Sequence, residues 1–196
     1  MSETVALIKK ELLACAQRAY NIGLQTGNGG NLSIRVPGTD LIIIKGSGYS
    51  FGECTPDNLV TVNMQDEIIE GPGKPSMEIR THRAIYRKRP DVFGIFHCHS
   101  PWATAYAENH EEIPAMTFHA EAKMGAVPVL NVSGHGDEAV EQAVESLLGN
   151  TPDLQAFVQA RHGIFAMGAT ITQAEHDAEL VEETAQIAFL VALGKR

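Results

Sequence analysis

The segment from Asp91 to His99 restricts this chain most. Val92, Phe93, Ile95 and Phe96 are β-branched or aromatic and are bounded by Pro90 and Pro101, the signature of a buried β-strand. The run ends in His97-Cys98-His99. Strand side chains alternate faces, so two histidines at i and i+2 project together from the strand's end, as two ligands of one metal would. A lone buried histidine is usually a satisfied core residue, and this pair is harder to read that way. Cys98, between them, points the other way, into the core, as a small buried hydrophobe.

The rest of the chain supplies a frame for such a strand. Apolar positions at Val5, Ile8, Leu12, Leu13, Ala16 and Ala19 form a helical stripe over residues 3–23. Short strands are expected at Asn31–Val36 and Asp40–Lys45, joined by the turn Pro37-Gly38-Thr39, and another at Leu59–Asn63. After the Gly71-Pro72-Gly73-Lys74-Pro75 turn, Ser76 is placed to cap a helix running to about Arg89. A helix from Trp102, a strand at 126–131, a helix at 136–148, two strands within Gln155–Met167 broken at Arg161-His162-Gly163, and a final helix from Thr172 to Leu193 complete the chain. The early hairpin argues against a purely parallel, doubly wound sheet. A largely antiparallel sheet between helices fits better. With 196 residues and no repeat, linker or low-complexity tract, residues 1–196 are expected to form a single domain.

Composition narrows the function. Net charge is −9 with no basic run, which argues against nucleic acid as a partner. No apolar stretch approaches the roughly 20 residues of a membrane span, so no membrane association is expected. The opening Met1-Ser2-Glu3-Thr4 leads into a mixed-charge helix without the order of a signal peptide, and three cysteines do not make a disulfide framework. A cytoplasmic location is the expectation.

Chemistry-bearing residues gather at chain turns. Pro75-Ser76-Met77-Glu78 puts a carboxylate in the first turn of a helix, and His162 sits in a tight break between two apolar strands. His97, His99 and His162 plus an open position would be the donor set of a catalytic metal site, with Glu78 either a labile fourth ligand or a general base. Plainer readings exist: Glu78 suits a helix N-terminus through the dipole alone, and His162 could be a turn residue. His82, His110, His135 and His176 are expected to be solvated on helical faces or in loops. Gly29-Gly30-Asn31 and Ser47-Gly48 are either simple turns or, with Ser76, donors for a small anion. Neither glycine loop is a Walker A or Rossmann fingerprint.

Gly29-Gly30-Asn31-Leu32-Ser33-Ile34-Arg35, Pro75-Ser76-Met77-Glu78, His97-Cys98-His99 and Arg161-His162-Gly163, in this order, resemble the class II aldolase/adducin family, which includes L-fuculose-1-phosphate aldolases. The resemblance runs from about Leu7 to Leu193. It implies a three-layer αβα sandwich with a mainly antiparallel central sheet, and a homotetramer with sites between subunits. It also implies a divalent metal on His97, His99 and His162: zinc (Zn2+), or another such as manganese or cobalt. Glu78 then matches the acid/base, and Gly30, Asn31, Ser47, Gly48 and Ser76 match a substrate-phosphate cradle. A metal holding the carbonyl and adjacent hydroxyl oxygens would stabilise an enediolate.

Three departures stand out. Met77 occupies the place of a second serine, and Phe118 that of a tyrosine which protonates the leaving group. His119-Ala120-Glu121 resembles the His-Ala-Asp of ribulose-5-phosphate 4-epimerases, which makes Glu121 a second candidate acid/base. The sequence ends at Arg196, where the resemblance implies a tail carrying another tyrosine. The expected activity is cleavage of a small phosphorylated ketose to dihydroxyacetone phosphate and an aldehyde. Glu78 favours this over epimerisation, where the corresponding residue resembles Asp. The alternative keeps the metal site for epimerisation, dehydration or decarboxylation of a sugar phosphate or sugar acid, and a non-enzymatic adducin-like role is the third.

Overall fold

In a computed structural model, which describes residues 3–71 and 73–194, the order of elements follows the apolar patterning closely. The expectations touching Met1, Ser2, Pro72, Lys195 and Arg196 lie outside the described residues. The hairpin β1 (Asn31–Arg35) and β2 (Leu41–Lys45) forms around Gly38, whose φ of 74° suits a residue without a Cβ. β3 (Leu59–Asn63) extends it, with β4 (Ile68–Glu70) at its edge. The histidine strand is β5 (Gly94–Cys98). β6 (Glu112–Ile113), β7 (Val127–Leu130), β8 (Ala156–Gln159) and β9 (Gly163–Gly168) complete a nine-stranded sheet in the order β4-β3-β2-β1-β5-β9-β8-β7-β6. Among the described residues every strand pairing is antiparallel except that of β7 with β8.

Alternation along these strands makes two cores, one on each face. One holds Leu32, Ile34, Phe96, Cys98, Ile164 and Ala166 and is covered by α1 (Glu3–Asn21), α3 (Pro101–Ala107) and α6 (Ile171–Gly194). The other holds Ile42, Ile44, Ile95, Phe157, Phe165 and Met167 under α2 (Ile79–Lys88) and α5 (Glu138–Asn150). A sheet apolar on both faces must be covered on both, and the result is the three-layer αβα sandwich. Cys98 is fully buried with the α1/α6 core, while His97 stacks on Phe165 of the opposite face, ring centroids 4.0 Å apart. Among the described residues no helix is long and apolar enough to cross a membrane.

The glycine-rich segment before β1 gains its meaning here. Asn31, Ser33 and Arg35 share the face towards α2. Ser33 Oγ is 2.7 Å from His82 Nδ1 and 2.8 Å from the Tyr86 hydroxyl. Arg35 donates to the carbonyls of Tyr86, Pro90 and Val92, tying β1 to the end of α2 and to the segment that leads into β5. His82, expected in solvent, is instead fully buried, and burial pushes its pKa down to about 3. Its helix presses that face onto the sheet, where Ser33 supplies the partner a buried imidazole needs.

Two further expectations change. The helix after Pro75 begins at Ile79, and Ser76 does not cap it: Glu78 holds the N-cap position without a side-chain cap bond. Ser76 Oγ instead accepts from the Glu78 N–H at 3.4 Å, and the Ser76 carbonyl from the Ile79 N–H at 3.1 Å. Periodicity also left unmarked α4 (Phe118–Lys123), a helix too short to show a stripe, capped by Thr117 accepting from the Ala120 N–H.

Gly94 shows how tightly β5 is held. A Cβ there would overlap the backbone of Thr170 and Ile171, where α6 begins. Backbone cannot rotate aside, so Gly94→Ala should destabilise the fold by about 3 kcal/mol, the upper part of the range for overpacking. The midpoint of urea unfolding reads this directly.

Candidate metal centre

Sheet register assembles the site. Asn31 pairs with His97 across β1 and β5, and Phe165 pairs with His97 across β5 and β9. One residue beyond β5, His99 leaves the strand with its N–H donated to Gln25 Oε1 at 2.7 Å. His162 arrives from the turn between β8 and β9. Arg161, just before it, takes a φ of 62°, an uncommon backbone for a residue with a Cβ. Gly163, just after it, lies against the Cys98 carbonyl where a side chain would clash. That close approach sets His162 beside the end of β5.

The three imidazoles converge. Ring centroids of His97, His99 and His162 are 4.7–4.9 Å apart, and the Nε2 atoms of His97 and His99 stand 3.0 Å from each other. His97 Nδ1 is 2.8 Å from the Ile164 carbonyl, which can only accept. Nδ1 therefore carries the proton, and Nε2 turns a lone pair towards the centre. Lone pairs this close repel unless a proton or a cation lies between them. Ligand atoms of a single tetrahedral zinc, at bonds of about 2.0–2.1 Å, stand roughly 3.3 Å apart, so the spacing suits one. The residues present fit a divalent cation.

Glu78 closes the cluster from the N-terminus of α2. Its Oε2 is 3.0 Å from His97 Nε2 and its Oε1 is 3.0 Å from His162 Nε2. Burial alone would raise its pKa, but the charges and hydrogen bonds of His97 and His162 hold it well below the usual carboxylate range. Asn31 Nδ2 donates to Oε2 at 2.5 Å, which fixes the carboxylate plane. His99 moves down to about 4, through burial first and then the neighbouring imidazoles.

The other expected residues divide into two groups. Gly30, at φ 62°, packs so closely that a Cβ would lie 2.6 Å from Gln25 Oε1 and 2.7 Å from the His97 carbonyl. An isolated bridge pairs Gly46 with Pro75, and the N–H groups of Ser47 and Ser76 donate to the carbonyls of Lys74 and Lys45. Ser47, Gly48 and Ser76 therefore sit on two joined loops beside Glu78. Glu121, by contrast, is exposed on α4 and outside the histidine cluster of its own chain, as is Phe118.

Three residues of the site escaped the sequence reading. Gln25 braces His99. Lys45, fully buried, donates to the Tyr49 carbonyl at 2.6 Å and holds the Ser47 loop, and its pKa is lowered by burial. His135 is exposed, as expected, yet it lies against His162 rather than in open solvent, edge-on with centroids 4.8 Å apart. It lines a cleft of about 1000 Å³ with His110, Gln159, Arg161 and His162.

Known proteins share this arrangement of elements. Residues 10–189 match the family described as the class II aldolase and adducin N-terminal domain. A 5-deoxy-D-ribulose 1-phosphate aldolase of Bacillus thuringiensis serovar kurstaki is 32% identical, the match covering 92% of this chain and 84% of that protein. A 3-oxo-tetronate 4-phosphate decarboxylase of Escherichia coli is 31% identical over 94% of this chain and 87% of its own. A solved L-fuculose 1-phosphate aldolase superposes with a TM-score of 0.87 at 28% identity, covering all of this chain and 90% of the other.

Proposed function

This chain belongs to the class II aldolase and adducin family, and on that premise we propose that it is a metal-dependent lyase cleaving a small phosphorylated ketose to dihydroxyacetone phosphate and an aldehyde. The observation that carries the reading is the buried Glu78 carboxylate, held 3.0 Å from a nitrogen of each of two of the three converging imidazoles. A divalent cation held by His97, His99 and His162, zinc being the first choice, would supply Lewis acidity towards substrate oxygens. Glu78 handles the proton on the carbon beside the ketone. In condensation it removes that proton, and in cleavage it returns one to the same carbon. Asn31 keeps the carboxylate aimed throughout.

The phosphate is assigned to Gly30, Asn31, Ser47, Gly48 and Ser76, with the Ser47 and Ser76 hydroxyls as donors, since the N–H groups of those two serines already bond the Lys74 and Lys45 carbonyls. Met77, 70% exposed, removes one hydroxyl from that grip. Inorganic phosphate should therefore compete with substrate, and Ser47→Ala should raise KM several-fold with kcat nearly unchanged. Absence of competition at high phosphate would point to a substrate without one.

A second reading has a specific observation behind it. Loss of carbon dioxide from the carboxylate of a 3-oxo acid also leaves a carbanion beside a ketone, to which Glu78 would pass a proton drawn from water. That reaction needs no group to take the proton from the hydroxyl that becomes the aldehyde in an aldol cleavage, and Phe118 cannot take one. The Escherichia coli relative is named for such a decarboxylation. Metal-loaded protein offered ketose 1-phosphates, pentulose 5-phosphates and 3-oxo acid 4-phosphates separates the two. Release of dihydroxyacetone phosphate supports the aldolase, and release of carbon dioxide alone overturns it.

Assembly belongs to the same proposal. In a homotetramer with sites between subunits, Glu121 would reach a neighbour's site, and α4 presents Phe118 91% exposed beside it. Light scattering should give four chains. A monodisperse, fully active monomer would rule this out.

A further inference from the structure

We propose that His135 binds the substrate's oxygen-bearing end, the end remote from the phosphate. The proposal rests on the reading of a phosphate near Asn31, Ser47 and Ser76. The loop over residues 131–136 is clamped on both sides. Gln159 Nε2 donates to the carbonyls of Val132 and Gly134, at 3.2 and 2.9 Å. Gly136, at φ 68°, lies so close to the turn before α2 that a Cβ would stand 2.6 Å from the Met77 carbonyl and 2.7 Å from Glu78 Cα. His135 is thus carried by backbone that rests on the general base itself.

The ring is aimed at the chemistry. A ring nitrogen of His135 lies within 4.8 Å of ligand atoms of Glu78 and His162. Its ring nitrogens have no hydrogen-bond partner among the described residues, whereas His110 in the same cleft stacks on Tyr106 and is 2.8 Å from that residue's carbonyl. Direction follows from the carboxylate. Asn31 meets Glu78 at Oε2, and His162, with His135 behind it, meets Oε1. A substrate anchored by phosphate on the Asn31 side crosses Glu78 and ends at His135 in the cleft. An imidazole offers a donor in either protonation state, so the end it recognises is a hydroxyl or carboxylate rather than a methyl group. The substrate class is a phosphorylated polyhydroxy ketone or acid with oxygen at both ends.

Calorimetric titration of the zinc-loaded full chain with inorganic phosphate, erythronate and erythronate 4-phosphate tests this without turnover. His135→Leu should weaken both acids by about tenfold to a hundredfold, the value of a hydrogen bond to a charged group, while phosphate affinity and zinc content stay unchanged. His135→Asn keeps an N–H donor and should recover part of the loss. If both acids bind His135→Leu as tightly as the wild type, or if neither binds the wild type, the proposal is overturned. Loss of zinc or of phosphate affinity in His135→Leu overturns it too, because His135 would then be a prop for the cluster. If phosphate and erythronate 4-phosphate bind the wild type no better than erythronate, the phosphate reading fails. Erythronate still reports on His135 in that case.

Discussion

His99→Ala should lose the bound metal and the activity together. Its Nε2 is one of three imidazole nitrogens facing a common centre, and His97 and His162 with Glu78 would leave the set one nitrogen short. The fold should survive, because His99 lies one residue beyond β5 and its bond to Gln25 is made by the backbone N–H. Metal analysis should read about one ion per chain in the wild type and none in the variant. Thermal unfolding gives an independent readout, since a ligand at a hundred times its Kd stabilises by about 2.7 kcal/mol and that increment should vanish in the variant. Full metal occupancy in His99→Ala would refute the assignment.

Glu78→Gln should keep the metal and lower turnover by about 10²–10⁴-fold, the contribution of a positioned general base. The amide preserves shape and can still accept from Asn31 Nδ2, so the change isolates basicity. Glu121→Gln is the contrast: on exposed α4, outside the cluster of its own chain, it should be tolerated by an aldolase that uses water as its acid. An epimerase-like enzyme, which needs a second acid/base, should not tolerate it. If Glu78→Gln turns over like the wild type and Glu121→Gln is dead, the aldolase reading is wrong.

Local patterning carried much of this protein. Alternation in residues 92–98 predicts that His97 and Cys98 face opposite layers, and they do. The stripe of α1, the hairpin around Gly38 and the extent of β3 were equally legible, because each depends on neighbours a few residues apart. Elements without a period were not: β6 has two residues, and β4 is an exposed edge. Ser76 followed the composition of a helix cap, yet the chain turns once more before α2 begins.

The strand bearing His97 and His99, the carboxylate ahead of a helix and the His162 turn are properties of the sequence, since side-chain periodicity and turn chemistry are set locally. Their meeting is not. Register across β1, β5 and β9 brings Asn31 and Phe165 to His97, and the closeness of Gly163 to Cys98 brings His162 to the same point. His82 and His135 show the limit most sharply. Neither lies in a distinctive motif, yet packing buries the first against Ser33 and sets the second beside His162. Contacts between residues tens of positions apart depend on how whole layers dock, and no local period encodes that.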